Sequence, residues 1–347
     1  MEFIQAAFFS LLLTSLAFFP TIKLAKKFNL VDNPKLRPHP AHIQKRIVPR
    51  AGGLAIFLGL FFSILIFTPF EKYTGGIIIS LMILLIVGLL DDKYQNLSPY
   101  FRLVGQFLSG LIIVLSGVGI NFITNPLGGI IYLDNFIANI LAIIWIVWVM
   151  NMINWSKGVD GQMPGIVTIA SIILGLLSIK LYLLGDPHQA NVAKLSFITA
   201  GSAFSLLIFN WHPAKIFPGF SGSTILGFMI ATLAILSGAK LATAGLVLLI
   251  PATDFAYTFI RRILEGKSPV WGDRGHLHHK LLELGLSHQK IALFYMLASA
   301  ILGAAALNLS SGGKLFAAIL VATITFGGIL WLNFFGGLSN QRAPDNG

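Results

Sequence analysis

Several residues in this chain have types and spacings that could do chemistry. Asp91 and Asp92 are adjacent carboxylates, and such a pair repels itself unless a cation or a basic side chain lies beside it. Asn151 and Asn154 are three apart and share a helix face. Gly158 and Gly161 follow, able to stop the helix and let backbone approach a ligand. His276, His278 and His279 cluster beside Asp273 and Arg274, a set suited to binding phosphate or metal or to transferring protons. The segment PGFSGS, containing Gly219 and Ser221, precedes an apolar run, where backbone N–H groups at a helix start can cradle phosphate. With Arg102, Lys157 and Asp160 nearby in type and pattern, these residues describe a site for a phosphorylated substrate. The matching chemistry is phosphoryl transfer, which depends mostly on positioning and charge neutralisation.

The elements that must position them are membrane helices. Of 347 residues, 56% are hydrophobic and only 11% charged, against about 25% charged in soluble domains. Mean hydropathy is +0.82. The sequence therefore predicts an all-α, polytopic integral membrane protein forming one transmembrane domain over 1–347. The absence of cysteine excludes disulfides, thiol nucleophiles and cysteine-ligated metal. Apolar runs of spanning length predict eleven spans: 3–20, 51–70, 75–90, 101–119, 136–153, 164–184, 192–210, 222–238, 241–259, 289–308 and 314–335. The first run lacks a basic leader and is followed by Lys23, Lys26 and Lys27, as expected of a retained helix with its N-terminus outside.

Alternation of loops tests that count. Nineteen of the 24 lysines and arginines fall on one side, leaving Lys72, Lys180, Lys194, Lys240 and Lys314 on the other. The richer side is expected to be cytoplasmic, which places the C-terminus inside. All the chemistry-bearing loops share that side. A net charge of +11 is thus a topological signal, and no nucleic-acid partner is expected. A site at the membrane surface suggests that one substrate is a lipid.

Each feature also has a plainer reading. Paired acids can merely end a helix at the interface. Asparagines can bond between helices. A histidine-rich stretch can be a solvated basic loop, and Lys157 can extend to lipid headgroups.

In order along the chain, VDNP…PRAGGLAIF, Asp91–Asp92, NLSPYFRLVGQ, NMINW..GVDG, PAKIF.G..GS..LG and DRGHLHHKLLELGLS resemble the polyprenyl-phosphate N-acetylhexosamine-1-phosphate transferases, the MraY/WecA-like group. HLHH followed by LLELGLS places the resemblance nearer the N-acetylglucosamine-1-phosphate branch. The resemblance covers nearly the whole chain. It implies transfer of a sugar-1-phosphate from UDP-N-acetylhexosamine to a polyprenyl phosphate with release of UMP, magnesium as cofactor, residence in the plasma (inner) membrane and a homodimer as a further expectation.

Carried over by motif, Asp91 and Asp92 match an acidic pair that activates lipid phosphate or binds metal. Asn154 matches an asparagine near the magnesium, so Asp92 and Asn154 become the expected metal residues. Asp160 matches an acid facing the nucleotide. His276, His278 and His279 match a loop holding diphosphate or sugar. The resemblance adds Arg102, Asn151, Lys157, Gly219, Ser221, Asp273 and Arg274 as substrate-binding residues. Lys157 stands where the family has an acid, Arg102 where it has a lysine, and Phe220 where it has a metal-ligating aspartate.

Two functions follow. One is an active transferase, in which Lys157 partly replaces the metal and meets the diphosphate, with Asn151 and Asn154 as neutral donors. The other is a relative of the same fold that binds lipid phosphate or nucleotide sugar without turnover, favoured by Phe220 and opposed by the intact DRGHLHH. A transporter, with charged or broken helices at mid-membrane, fits less well, because the polar residues gather at one surface.

Overall fold

A computed structural model describes residues 1–33, 46–95, 97–125, 128–238, 241–268 and 275–340, with 334–340 as backbone only. Asp273 and Arg274, two of the expected substrate-binding residues, lie outside the described residues.

The chain is helical almost throughout. Helix α1 (Glu2–Lys27) leads into a short antiparallel pair, β1 (Val31–Asp32) and β2 (Val48–Pro49), with Val31 opposite Pro49. Helices α2 (Gly52–Phe67), α3 (Lys72–Tyr94) and α4 (Pro99–Leu115) follow. An exposed hairpin, β3 (Phe122–Thr124) and β4 (Ile130–Tyr132), precedes α5 (Asn135–Trp155), α6 (Gln162–Leu183), α7 (Gln189–Asn210) and α8 (Gly219–Leu236). The remainder is α9 (Leu241–Val247), α10 (Leu249–Leu264), α11 (Leu277–Glu283), α12 (His288–Asn308) and α13 (Ser311–Asn340).

Among the described residues, eight helices are long and apolar enough to cross a membrane, or nine if α9 and α10 form one span. Each of the eleven expected spans falls on one helix or on the α9–α10 pair. Two of the expected spans, 51–70 and 101–119, are the shorter apolar helices α2 and α4, of 16 and 17 residues. At 1.5 Å per residue each is about 25 Å long, short of a hydrocarbon core of about 30 Å. The expected span 241–259 is not one rod: α9 and α10 meet at 83°. This break places Asp254 and the start of α10 inside the bundle rather than along a lipid-facing helix.

Helix α8 is the hub. It carries no charge and is apolar on every side, the pattern of a helix enclosed by others, and its residues from Gly219 to Ile235 are buried. Helices α2, α3 and α5 pack around it. Small residues let them come close: a Cβ at Gly88 of α3 would strike Ser221, and one at Gly53 of α2 would strike Ser221 and Gly222. This close crossing delivers the C-terminal end of α3, with its two acids, to the N-terminus of α8. Helices α1 and α7 are joined by a polar seam in which Ser10 and Thr14 both bond the Ser202 hydroxyl.

Candidate active site

The centre is built around Asp92, which is fully buried. Its Oδ1 accepts from Phe220 N at 2.7 Å and Arg50 Nε at 3.2 Å. Its Oδ2 accepts from Ser221 Oγ at 2.6 Å and Ser221 N at 3.2 Å. The first N–H groups of α8, expected to cradle phosphate, thus cap a carboxylate from α3, a favourable charge at a helix start. Gly219 makes this fit: its φ is +71°, and a Cβ there would run into Asp92 Oδ2 and Arg50 O. Ser221 and Gly219 accordingly hold Asp92.

Asp91, equally buried, turns the other way and accepts from Arg102 Nε at 2.7 Å. Its Oδ2 has no hydrogen-bond partner and lies 3.8 Å from Arg50 Nη2. The repulsion expected of adjacent acids is met by two arginines on opposite flanks. Arg50 was not among the expected site residues. It is placed by the short β pair: Arg50 N bonds Leu30 O, and Phe217 N bonds Pro49 O.

The 157–161 turn between α5 and α6 reaches into four places. Lys157 Nζ donates to Asn154 Oδ1 at 2.6 Å and to Gly219 O at 3.2 Å, so Lys157 points into the centre and not toward headgroups. Burial, reinforced by Arg50 and opposed by Asp92 and Asp91, lowers its pKa to about 7. Asn154 Oδ1 also accepts from Ser223 Oγ at 2.8 Å. The Phe220 ring lies between two cations, Arg102 Cζ at 5.4 Å and Lys157 Nζ at 5.9 Å from its centroid, within cation–π range. Asn151 donates to Gln106 Oε1 of α4 at 2.8 Å, the interhelical role of the plainer reading, while also lining the cavity below.

Gly158 abuts His278, whose Nε2 occupies the space a Cβ would need. His276, His278 and His279 are all buried, which excludes a solvated loop. Their rings are packed, His276 against His278 at 5.4 Å and His278 against His279 at 4.4 Å. Burial, with the neighbouring His279 and His276, holds His278 well below its ordinary pKa. Asp254 of α10, not anticipated, fixes this loop: its Oδ2 is 3.1 Å from His276 Nδ1, and its Oδ1 accepts from Leu277 N at 2.8 Å. A carboxylate only accepts, so Nδ1 of His276 carries the proton.

Asp160 sits in a second cluster. Its Oδ2 accepts from His212 Nδ1 at 2.7 Å and Ala214 N at 3.2 Å, while its N–H donates to His288 Nδ1 at 3.3 Å. The two imidazoles stack at 4.4 Å. Gly161 N completes the turn by donating to Asn210 Oδ1 at 2.9 Å.

Between α4, α5 and α10 lies a cavity of about 330 Å³. Its lining includes Arg102, Asn151 and Asn154 together with aromatic and aliphatic side chains such as Phe107, Trp148 and Phe255. It joins cationic and amide groups to a long aromatic and aliphatic wall, the profile of a lipid with a charged head.

The donor set fits poorly to the magnesium ion that the resemblance implies. Magnesium wants oxygen ligands in near-octahedral array. Both oxygens of Asp92 are engaged, Asn154 Oδ1 accepts from Lys157 and Ser223, and Phe220 has no donor atom. Asp91 Oδ2 is the one unbonded carboxylate oxygen of this centre. Among the described residues, Asp160, His212 and His288 are grouped closely enough to hold a metal, with ligand atoms within 4.8 Å of one another, but Asp160 Oδ2 is already bonded to His212.

Residues 74–238 match the sequence model of glycosyl transferase family 4. The chain is 34% identical over 319 residues to a Bacillus subtilis protein named "Probable undecaprenyl-phosphate N-acetylglucosaminyl 1-phosphate transferase", covering 89% of this chain and 85% of the relative. It is 30% identical over 309 residues to the "Decaprenyl-phosphate N-acetylglucosaminephosphotransferase" of Mycolicibacterium smegmatis, covering 79% and 74%. It is 25% identical over 313 residues to the "Undecaprenyl-phosphate alpha-N-acetylglucosaminyl 1-phosphate transferase" of Escherichia coli K12, covering 84% and 79%. On this identity and coverage, the chain belongs to glycosyl transferase family 4.

Proposed function

We propose that the protein transfers N-acetylhexosamine-1-phosphate from a UDP-sugar to a polyprenyl phosphate and releases UMP, a first step in assembling a lipid-linked glycan for the cell envelope. The observation that carries this reading is the cavity in which Arg102 and Asn154 adjoin a wall of Phe107, Trp148, Phe255 and Phe259. A polyprenyl chain suits the wall and its phosphate suits the cationic part. The names of the relatives point to the same acceptor lipid.

In this reading an oxygen of the lipid phosphate attacks the β-phosphorus of the UDP-sugar. The new P–O bond joins lipid and sugar phosphates, and the bond to UMP breaks with its electron pair leaving on UMP. Arg50, Arg102 and Lys157 offset the charge on the transferred group, where pre-oriented cations in a dry site contribute most. His278, held neutral, offers the diphosphate hydrogen bonding and no charge. Asp160, steadied by His212 and Ala214 N, faces the nucleotide. The reading places the site on the cytoplasmic face of the plasma membrane, supported by the nineteen-to-five division of lysine and arginine.

The test is UMP release by purified protein in lipid nanodiscs supplied with UDP-N-acetylglucosamine. Release should require polyprenyl phosphate and should not occur with the unphosphorylated polyprenol. Release independent of the lipid, or none with any UDP-N-acetylhexosamine, contradicts the proposal.

A further inference from the structure

We infer that the Lys157 ammonium occupies the seat of the divalent cation at the Asp91–Asp92 centre, and that Lys157 with Arg50 and Arg102 engages the substrate diphosphate directly, without a bound metal. The inference rests on the transferase reading and goes beyond it.

Three observations carry it. First, Lys157 Nζ bonds Asn154 Oδ1 and Gly219 O, two oxygens that would otherwise face a cation. Second, Arg50, Arg102 and Lys157 already serve Asp91 and Asp92 as basic partners. A divalent ion placed among them would meet repulsion from the two guanidinium groups, magnified where the dielectric is low. Third, the position of Phe220 makes the arrangement self-consistent. Its ring separates Arg102 from Lys157 and attracts both. Lysine is a compact point charge that binds phosphate well.

The experiment measures UDP binding by calorimetry to the natural protein in nanodiscs, once with magnesium and once with EDTA, and follows manganese by electron paramagnetic resonance. The expected result is affinity equal within about two-fold in the two conditions, with no protein-bound manganese signal. Lys157→Gln should weaken UDP by about ten- to a hundred-fold, the loss of one charge-assisted contact, whether or not magnesium is present. The double substitution Lys157→Asp, Phe220→Asp should bind UDP only with magnesium and should acquire a manganese signal. The natural protein and Lys157→Gln decide the matter even where the double variant fails to fold. UDP binding by the natural protein that collapses in EDTA overturns the inference and leaves the transferase reading standing. Absence of UDP binding in both conditions overturns both.

Discussion

Gly158 lies flush against the imidazole of His278, so that a single added methyl group would overlap Nε2. The contact ties the turn carrying Lys157 and Asp160 to the histidine loop. His278 is packed between His276 and His279 and has little room to retreat. Gly158 does not adopt a left-handed backbone, so any effect of Gly158→Ala comes from this contact alone. Overpacking of this kind costs about 1–3 kcal/mol. Gly158→Ala should lower the melting temperature and weaken UDP binding together. A variant that matches wild type in both would remove this coupling.

The two adjacent acids should behave differently. Asp92→Asn turns an amide N–H₂ toward the donors of Phe220, Ser221 or Arg50, which now fill both carboxylate oxygens. A buried donor left unpaired costs about 1–3 kcal/mol, so this variant should lose stability as well as turnover. Asp91→Asn retains an acceptor for Arg102, and its other oxygen is unbonded. It should lose turnover by orders of magnitude with a nearly unchanged melt. Thermal melts and UMP release on both variants check this, and identical melts would contradict it.

His278 sets a pH window. Its pKa lies well below the ordinary 6.5 in the folded protein. Below that value the unfolded chain takes up a proton that the folded chain refuses, so stability falls as pH drops from 6.5 and is unaffected above it. The limiting slope for one proton is about 1.4 kcal/mol per pH unit. His278→Gln should flatten the curve of melting temperature against pH within this window, just below pH 6.5. Parallel curves for variant and wild type would show that His278 is not the group responsible.

Asp254 and His276 form an oriented pair. Asp254→Asn keeps the acceptor for Leu277 N but presents an N–H to Nδ1 of His276, forcing the proton onto Nε2. Imidazole nitrogen shifts should report that exchange, and UDP-sugar affinity should fall by about ten-fold, the scale of one hydrogen bond to a charged group. Unchanged nitrogen shifts would return Asp254 to a purely structural role.

Much of this site was legible in the sequence because its parts lie in short motifs. Asp91–Asp92, Asn154 and the histidine loop announce themselves by residue type and spacing. The partners did not, because they are joined across the fold: Arg50 is 42 residues from Asp92, and Phe220 N is 128 residues away. Neither periodicity nor composition reports such separations. Asp254 did carry a signal, an acid within an otherwise apolar predicted span, and such residues usually have a function. His212 sits immediately before PAKIF and His288 follows LLELGLS, but a single histidine says little until Asp160 is seen between them. Hydropathy located the apolar helices and not their geometry: the α9–α10 bend falls within a continuous apolar run, and α2 and α4 are apolar yet short.

The most direct test of the transferase reading follows the phosphorus. Protein in nanodiscs containing polyprenyl phosphate is given UDP-N-acetylglucosamine radiolabelled at the β-phosphorus, and the organic and aqueous phases are separated. Attack by lipid phosphate at that phosphorus predicts label in a lipid-linked diphospho-sugar, with unlabelled UMP formed in equal amount. Label that stays in the aqueous phase as UDP or free sugar phosphate would contradict it.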